Sequence, residues 1–271
     1  MQCYYDTKPT PRATRRRFGS RWLYVAEYNR KNPPVLGVEL EAEFGSGYAS
    51  WADDPTATQC TPLSGLVQQL PGTHLTFDGS LIHGRELVLP PATLEAWTRL
   101  RPVIELALRR AHRQGWHADR DKSCGMHVHL SKSAFANKEH AFRLVQFLIN
   151  NQPQVRALAR RDNSEFASFQ YNDGIGDNEA ACRRMVANWW AGQVNFRYKM
   201  YAVAFNHRNT AEFRIFQGTL TWLQFARAIQ FCASTVAYTR LAWEPSWAGY
   251  RGWVRQHKTD YPELARYLRK A

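Results

Sequence analysis

The chain has 271 residues, 44% apolar and 22% charged, a balance that excludes a disordered or fibrous protein. Lys and Arg outnumber Asp and Glu by 36 to 23, and the resulting formal charge of +13 favours anionic partners such as nucleic acid, nucleotides, acidic lipid or acidic substrates, without choosing among them. No apolar run approaches the ~20 residues of a membrane span, and the first residues lack the apolar segment of a secretory signal. Five scattered cysteines (Cys3, Cys60, Cys124, Cys182, Cys232) read as free thiols of a reducing, cytoplasmic compartment.

Residues 1–32 read as a basic, irregular arm, with Arg12, Arg15, Arg16, Arg17 and Arg21 and no acid between Pro9 and Leu23. Such an arm is either solvated or a contact for a polyanion. After Pro33-Pro34, VLGVELEAEF (35–44) alternates as a strand does, with Val38, Leu40, Ala42 and Phe44 on one face and Glu39, Glu41 and Glu43 on the other. Residues 45–73 read as a long loop holding a short helix near 62–70, and Asp78-Gly79-Ser80 as a turn. GRELVLPP (84–91) is a strand stopped by two prolines.

Leu94, Trp97, Leu100, Ile104, Ala107, Leu108 and Ala111 mark one face of a helix over about 93–114, which Gly115 stops. MHVHLS (126–131) is a strand. Helical spacing returns over 137–150; Pro153 breaks it, and a second short helix carries Val155 and Leu158. Residues 178–190 are helical, 201–218 form two strands around a turn at His207-Arg208-Asn209, and Trp222 to Val236 marks a further helix. The basic tail is helical from Trp247 onward. This order of elements predicts an α+β fold rather than a doubly wound sheet. Trp189, Trp190, Trp243, Trp247 and Trp253 read as packed core in preference to an interface.

Four patterns carry chemistry. Glu39, Glu41 and Glu43 repel one another along one strand face unless a cation or a basic strand neutralises them; taken alone they read as an exposed acidic face or a metal site. His127 and His129 point the same way, a common metal-ligand spacing, and Cys124 nearby keeps a zinc reading open. Glu212 and Arg214 repeat the two-residue spacing, which alone fits a plain ion pair. Asp78 and Glu86 flank a turn and Gly84. Together they put carboxylate, imidazole and guanidinium groups on several strands. Oxygen-rich sites with an imidazole suit Mg2+ or Mn2+ better than zinc, and an arginine beside them suits a phosphate. No Walker-type phosphate loop is present.

GVELEAEF, DGSL followed by GRELVLPP, CGMHVHLS, and NHRNTAEFRIFQGTL occur in that order, and the stretch from Val35 to Leu220 resembles the putative amidoligases, of the carboxylate–amine ligase superfamily with glutamine synthetase and glutamate–cysteine ligase. The resemblance implies a glutamine-synthetase-like fold: a curved antiparallel sheet with helices on its convex face and ATP and metal ions on the concave one. It implies an ATP-dependent ligase that forms an amide or isopeptide bond through an acyl phosphate, releasing ADP and phosphate. By the same resemblance Glu41, Asp78 and Glu86 hold one Mg2+ (or Mn2+), and Glu39, His127 and Glu212 hold another. His129 lies near the ATP phosphates, Arg214 stabilises the transferring phosphoryl group, and Arg161 in LARRDN holds substrate or phosphate. Glu41, His129 and Arg214 form the implied catalytic set. Glu43 reads as an outer or exposed residue and Asn206 as a structural hydrogen bonder.

The expected division is a basic arm (1–32), an amidoligase catalytic domain (33–242) and a basic helical extension (243–271). Expected partners are small-molecule or peptide acids and amines, with polyanion contact through the arm and no membrane. Two alternatives stay open: an inactive ligase-fold module that binds nucleic acid or another polyanion, and a zinc hydrolase centred on Cys124, His127 and His129.

Overall fold

A ten-residue strand buried on both faces organises the chain. The computed structural model describes residues 14–18, 21–25, 34–44, 63–76, 78–79, 81, 84–118, 124–161, 167–172, 174–195 and 200–270. In chain order these form β1 (Thr14–Phe18), β2 (Arg21–Val25), β3 (Val35–Phe44), α1 (Ser64–Gln69), β4 (His74–Thr76), β5 (Gly84–Thr93), α2 (Leu94–Arg113), β6 (Trp116–His117) and β7 (Gly125–Ser131). A 3-10 turn (Lys132–Ala134) leads to α3 (Lys138–Asn150), α4 (Gln152–Ala159), α5 (Asn178–Trp190), β8 (Val203–His207), β9 (Thr210–Gln217), α6 (Trp222–Leu241), α7 (Trp247–Gln256) and α8 (Pro262–Leu268).

The fold is α+β. An open sheet runs β4-β5-β3-β7-β9-β8, with β6 added to the end of β3, and its neighbours are antiparallel. Register follows side-chain parity. Leu40 lies opposite Leu87 and Met126, Val128 opposite Phe213, and Leu130 opposite Ala211. These side chains build one buried apolar face, which α2 and α6 cover. The Trp97 indole of α2 donates to the Leu36 carbonyl at 3.0 Å, fixing helix to strand while the ring is buried. Burying each Leu or Val of this face contributes roughly 1.5–3 kcal/mol.

Local chemistry sets the helix ends. Thr93, Asn137, Asp177 and Ser246 each accept a backbone N–H of the first turn, capping α2, α3, α5 and α7. Gly115, at φ 90°, follows the end of α2. The C-terminal helices are fastened to α6: Ser234 and Tyr250 share a hydroxyl contact of 2.6 Å, and Gln230 Oε1 accepts Leu264 N at 2.9 Å. Cys124, Cys182 and Cys232 are buried thiols, and burial pushes the Cys182 thiol up to about 12. Among the described residues no helix is long and apolar enough to cross a membrane.

The structure corrects several expectations. Residues 14–18 and 21–25 are not irregular: they form β1 and β2, which pair antiparallel, and RWLYV is rich in strand-forming residues. His207 is not in the turn but ends β8, so the turn is Arg208-Asn209 alone. The acidic face of β3 is buried rather than exposed: Glu39, Glu41 and Glu43 are all buried. Trp189 is core, and Trp247 and Trp253 pack against it, but Trp243 is 81% exposed just past the end of α6, where Arg143 stacks on it at 5.2 Å. Cys3, Cys60 and most of the arm lie outside the described residues.

Candidate functional site

The sheet face opposite the apolar core carries the charged residues, and register brings them together. Glu41 pairs with Glu86, Glu39 with His127, and His129 with Glu212. Strands distant in sequence therefore converge on one patch, joined by Asp78 from the turn before β5 and by Arg161 after α4. Glu39, Glu41, Glu86, His127, His129, Arg161 and Glu212 are all buried.

Three groups have ligand atoms close enough to share a cation: Glu39, His127 and Glu212; Glu41, Asp78 and Glu86; and His129, His207 and Glu212. Within them His127 Nδ1 lies 3.5 Å from both Glu39 and Glu212, and His129 Nε2 lies 3.2 Å from Glu39. Arg214 Nη1 donates to Glu212 Oε1, and Arg161 Nη1 donates to the Arg214 carbonyl at 2.9 Å. Glu41 accepts the backbone N–H of Gly125. A Cβ at Gly125 would stand 2.4 Å from Arg161 Nη1 and 3.0 Å from His127 Nε2, so only glycine lets the arginine lie across the strand.

Burial would raise the Glu39 and Glu212 carboxyls, but their partners win. The His129 charge and hydrogen bonds from His127 and His129 hold Glu39 well below the usual range, and Arg214 and His207 do so for Glu212. At Glu86 the balance reverses. Burial and then the charges of Glu39, Asp78, Glu41 and Glu212 push it up to about 9.

Apart from Glu86, whose raised pKa keeps it protonated near neutral pH, the carboxylates Glu39, Glu41, Asp78 and Glu212 face two guanidinium groups, Arg161 and Arg214. Buried His127 Nε2 and Glu212 Oε2 make no hydrogen bond among the described residues. An excess of negative charge in a largely buried patch, with donor atoms still available, fits divalent cations. The oxygen-rich donor set of Glu41, Asp78 and Glu86 suits a hard ion.

The two expected ligand triads are each brought together, with His129, Arg161 and Arg214 beside them. Glu43 is buried, not exposed; it lies opposite His117 and belongs to none of the three groups. Asn206 is buried with Oδ1 making no hydrogen bond among the described residues, so the expected structural bond is not formed by that oxygen. Cys124 joins none of the groups, so the expected zinc set of Cys124, His127 and His129 does not assemble among the described residues. Sequence reasoning missed His207. The signal was hairpin parity: across a two-residue turn His207 pairs with Thr210, which shares its face with Glu212 and Arg214.

Residues 37–169 match the model of a family described as putative amidoligase enzyme. The match holds Glu39, Glu41, Asp78, Glu86, His127, His129 and Arg161 and ends before the β8–β9 hairpin, which the sheet returns to the same patch. No curated protein matches the chain.

Proposed function

We propose that this chain, whose residues 37–169 belong to the putative amidoligase family, is an ATP-dependent carboxylate–amine ligase. The observation that carries the reading is the meeting of two separate ligand triads with two arginines on one buried sheet face. Glu41, Asp78 and Glu86 would hold one Mg2+ or Mn2+ and Glu39, His127 and Glu212 a second, and such ions supply positive charge against a polyphosphate.

The chain's own groups do the rest. Arg214, whose positive charge Glu212 reinforces, binds the oxygens of the transferring phosphoryl group. Arg161, buried beside Gly125, is fixed in direction and holds substrate or phosphate. His129, packed against Glu39 and Thr210, faces the phosphates. The burial of Glu39, Glu41, His127, His129 and Glu212 limits water, which protects an activated acyl group from hydrolysis.

In this reaction a substrate carboxylate oxygen attacks the γ-phosphorus of ATP, and the bond to the β,γ-bridging oxygen breaks. ADP leaves with that electron pair, and the substrate becomes an acyl phosphate. An amine nitrogen then attacks the acyl carbon, inorganic phosphate leaves, and the amine gives up a proton. The products are an amide or isopeptide, ADP and phosphate. On this reading the sheet is a glutamine-synthetase-like catalytic face with helices on its convex side. Residues 33–242 carry the chemistry, and small-molecule or peptide acids and amines are the substrates. The buried thiols Cys124, Cys182 and Cys232 fit a cytoplasmic setting.

ADP release is the test. Pools of amino acids, peptides and amines are screened with Mg-ATP, and a pool that needs both an acid and an amine identifies a ligase. No ADP release in any pool, with salt-sensitive binding of nucleic acid that Mg-ATP does not change, would transfer the reading to the polyanion-binding module that the +13 charge favours.

A further inference from the structure

Glu212 turns its two oxygens to different neighbours. Oε1 accepts from Arg214 Nη1 and lies 3.5 Å from His127 Nδ1. Oε2 is buried, makes no hydrogen bond among the described residues, and faces His207 Nε2 at 3.4 Å. The His129 ring stands 5.2 Å, centre to centre, from the His207 ring. One nitrogen of each imidazole and one Glu212 oxygen lie within 4.8 Å of one another, and all three side chains are buried.

We propose that His129, His207 and Glu212 form a third cation site, one that takes a first-row transition ion such as Zn2+, Co2+ or Ni2+ in preference to Mg2+. Two imidazoles and one carboxylate are borderline donors, whereas Mg2+ demands oxygen ligands and keeps its waters. The arginine on Oε1 competes with an ion at the Glu39, His127 and Glu212 set, while Oε2 carries no arginine. Outer partners hold both rings. Thr210 Oγ1 meets His129 Nδ1 at 3.5 Å, and His129 Nε2 lies 3.2 Å from Glu39. The Trp189 indole of α5 donates to the His207 carbonyl at 2.8 Å and pins the end of β8. The site shares Glu212 with the second triad and His129 with the phosphate-facing set of the ligase reading, but His207 belongs to it alone of the three groups, so variants at His207 test it without nucleotide.

The test uses the full chain, stripped with chelator, held in excess Mg2+ without ATP, and titrated with Co2+ as an optical probe. One equivalent of Co2+ should bind despite the Mg2+ and give the visible absorption of an imidazole-ligated ion. His207→Leu should weaken that binding by at least about tenfold, while Glu86→Gln, in the oxygen-rich triad, leaves it unchanged. His207→Gln should show the same loss and serves if the leucine variant does not fold, as a thermal melt reports. Co2+ binding that ignores both His207 variants would overturn the site, as would no Co2+ binding over Mg2+ in the wild type.

Discussion

Leu40 and Glu41 are neighbours on β3, both buried, and point to opposite faces of one sheet. Leu40 belongs to an apolar row that packs under α2 and α6 and draws its stability from leaving water. Glu41 belongs to an acidic row for which leaving water is a penalty, offset by Gly125 N–H, His127 and the guanidinium groups nearby. The offset is incomplete at Glu86, which burial and its acidic neighbours push up to about 9. A face that stabilises the fold and a face that burdens it share the same strands. The burdened one is where chemistry is to be sought.

Paired substitutions break this comparison most sharply. Leu40→Ala should lower stability by about 2–5 kcal/mol in urea unfolding and leave activity per folded molecule intact. Glu41→Gln should do the opposite. ATP turnover falls by at least about 100-fold, while stability without added metal holds or rises, because one buried like charge is gone. Equal effects of the two on stability would erase the distinction between the faces.

Gly125→Ala probes the site face without removing a charge. The added Cβ collides with the Arg161 guanidinium, so substrate or phosphate affinity should weaken by about tenfold, with a smaller change in melting temperature. Titration calorimetry with Mg-ATP reads the first effect and a thermal melt the second.

An effect confined to acid pH lies on the helical side. His140 Nδ1 accepts from Ala136 N at 3.1 Å, which places the ring proton on Nε2, facing the Val236 carbonyl and Thr239 at 3.1 Å. Burial, then Arg240 and Arg143, hold its pKa down at about 4. The unfolded chain, with a histidine near ~6.5, takes up the proton first as pH falls. Stability contributed by the neutral ring is therefore full above ~6.5 and is lost as pH falls from there toward 4, at no more than ~1.4 kcal/mol per pH unit. His140→Gln should flatten that slope in unfolding measured across the same window.

Much of this architecture is readable from periodicity. α5 falls at 178–190 as its spacing predicts, α2 differs from its predicted span by one residue at each end, and β3 alternates as expected. β4 and β6, three and two residues long, are too short to show a period, and only pairing with β5 and β3 makes them strands. Alternation separates Leu40 from Glu41 but does not say that both are buried; that depends on the strands paired beside β3. The triads came from resemblance and not from spacing, because Glu212 lies far along the chain from Glu39 and only the β3–β7–β9 register joins them. His207 was legible in principle, through the two-residue turn that sets its parity with Glu212.

The most direct test of the central claim is thermal stability with and without Mg-ATP, for wild type and Glu41→Gln. At ~100 times its dissociation constant a ligand adds about 2.7 kcal/mol to the folded state. A metal-dependent rise of that order in the wild type, lost in Glu41→Gln, is the predicted result. No rise in the wild type, or an equal rise in both proteins, would contradict a nucleotide site built on the acidic face of β3.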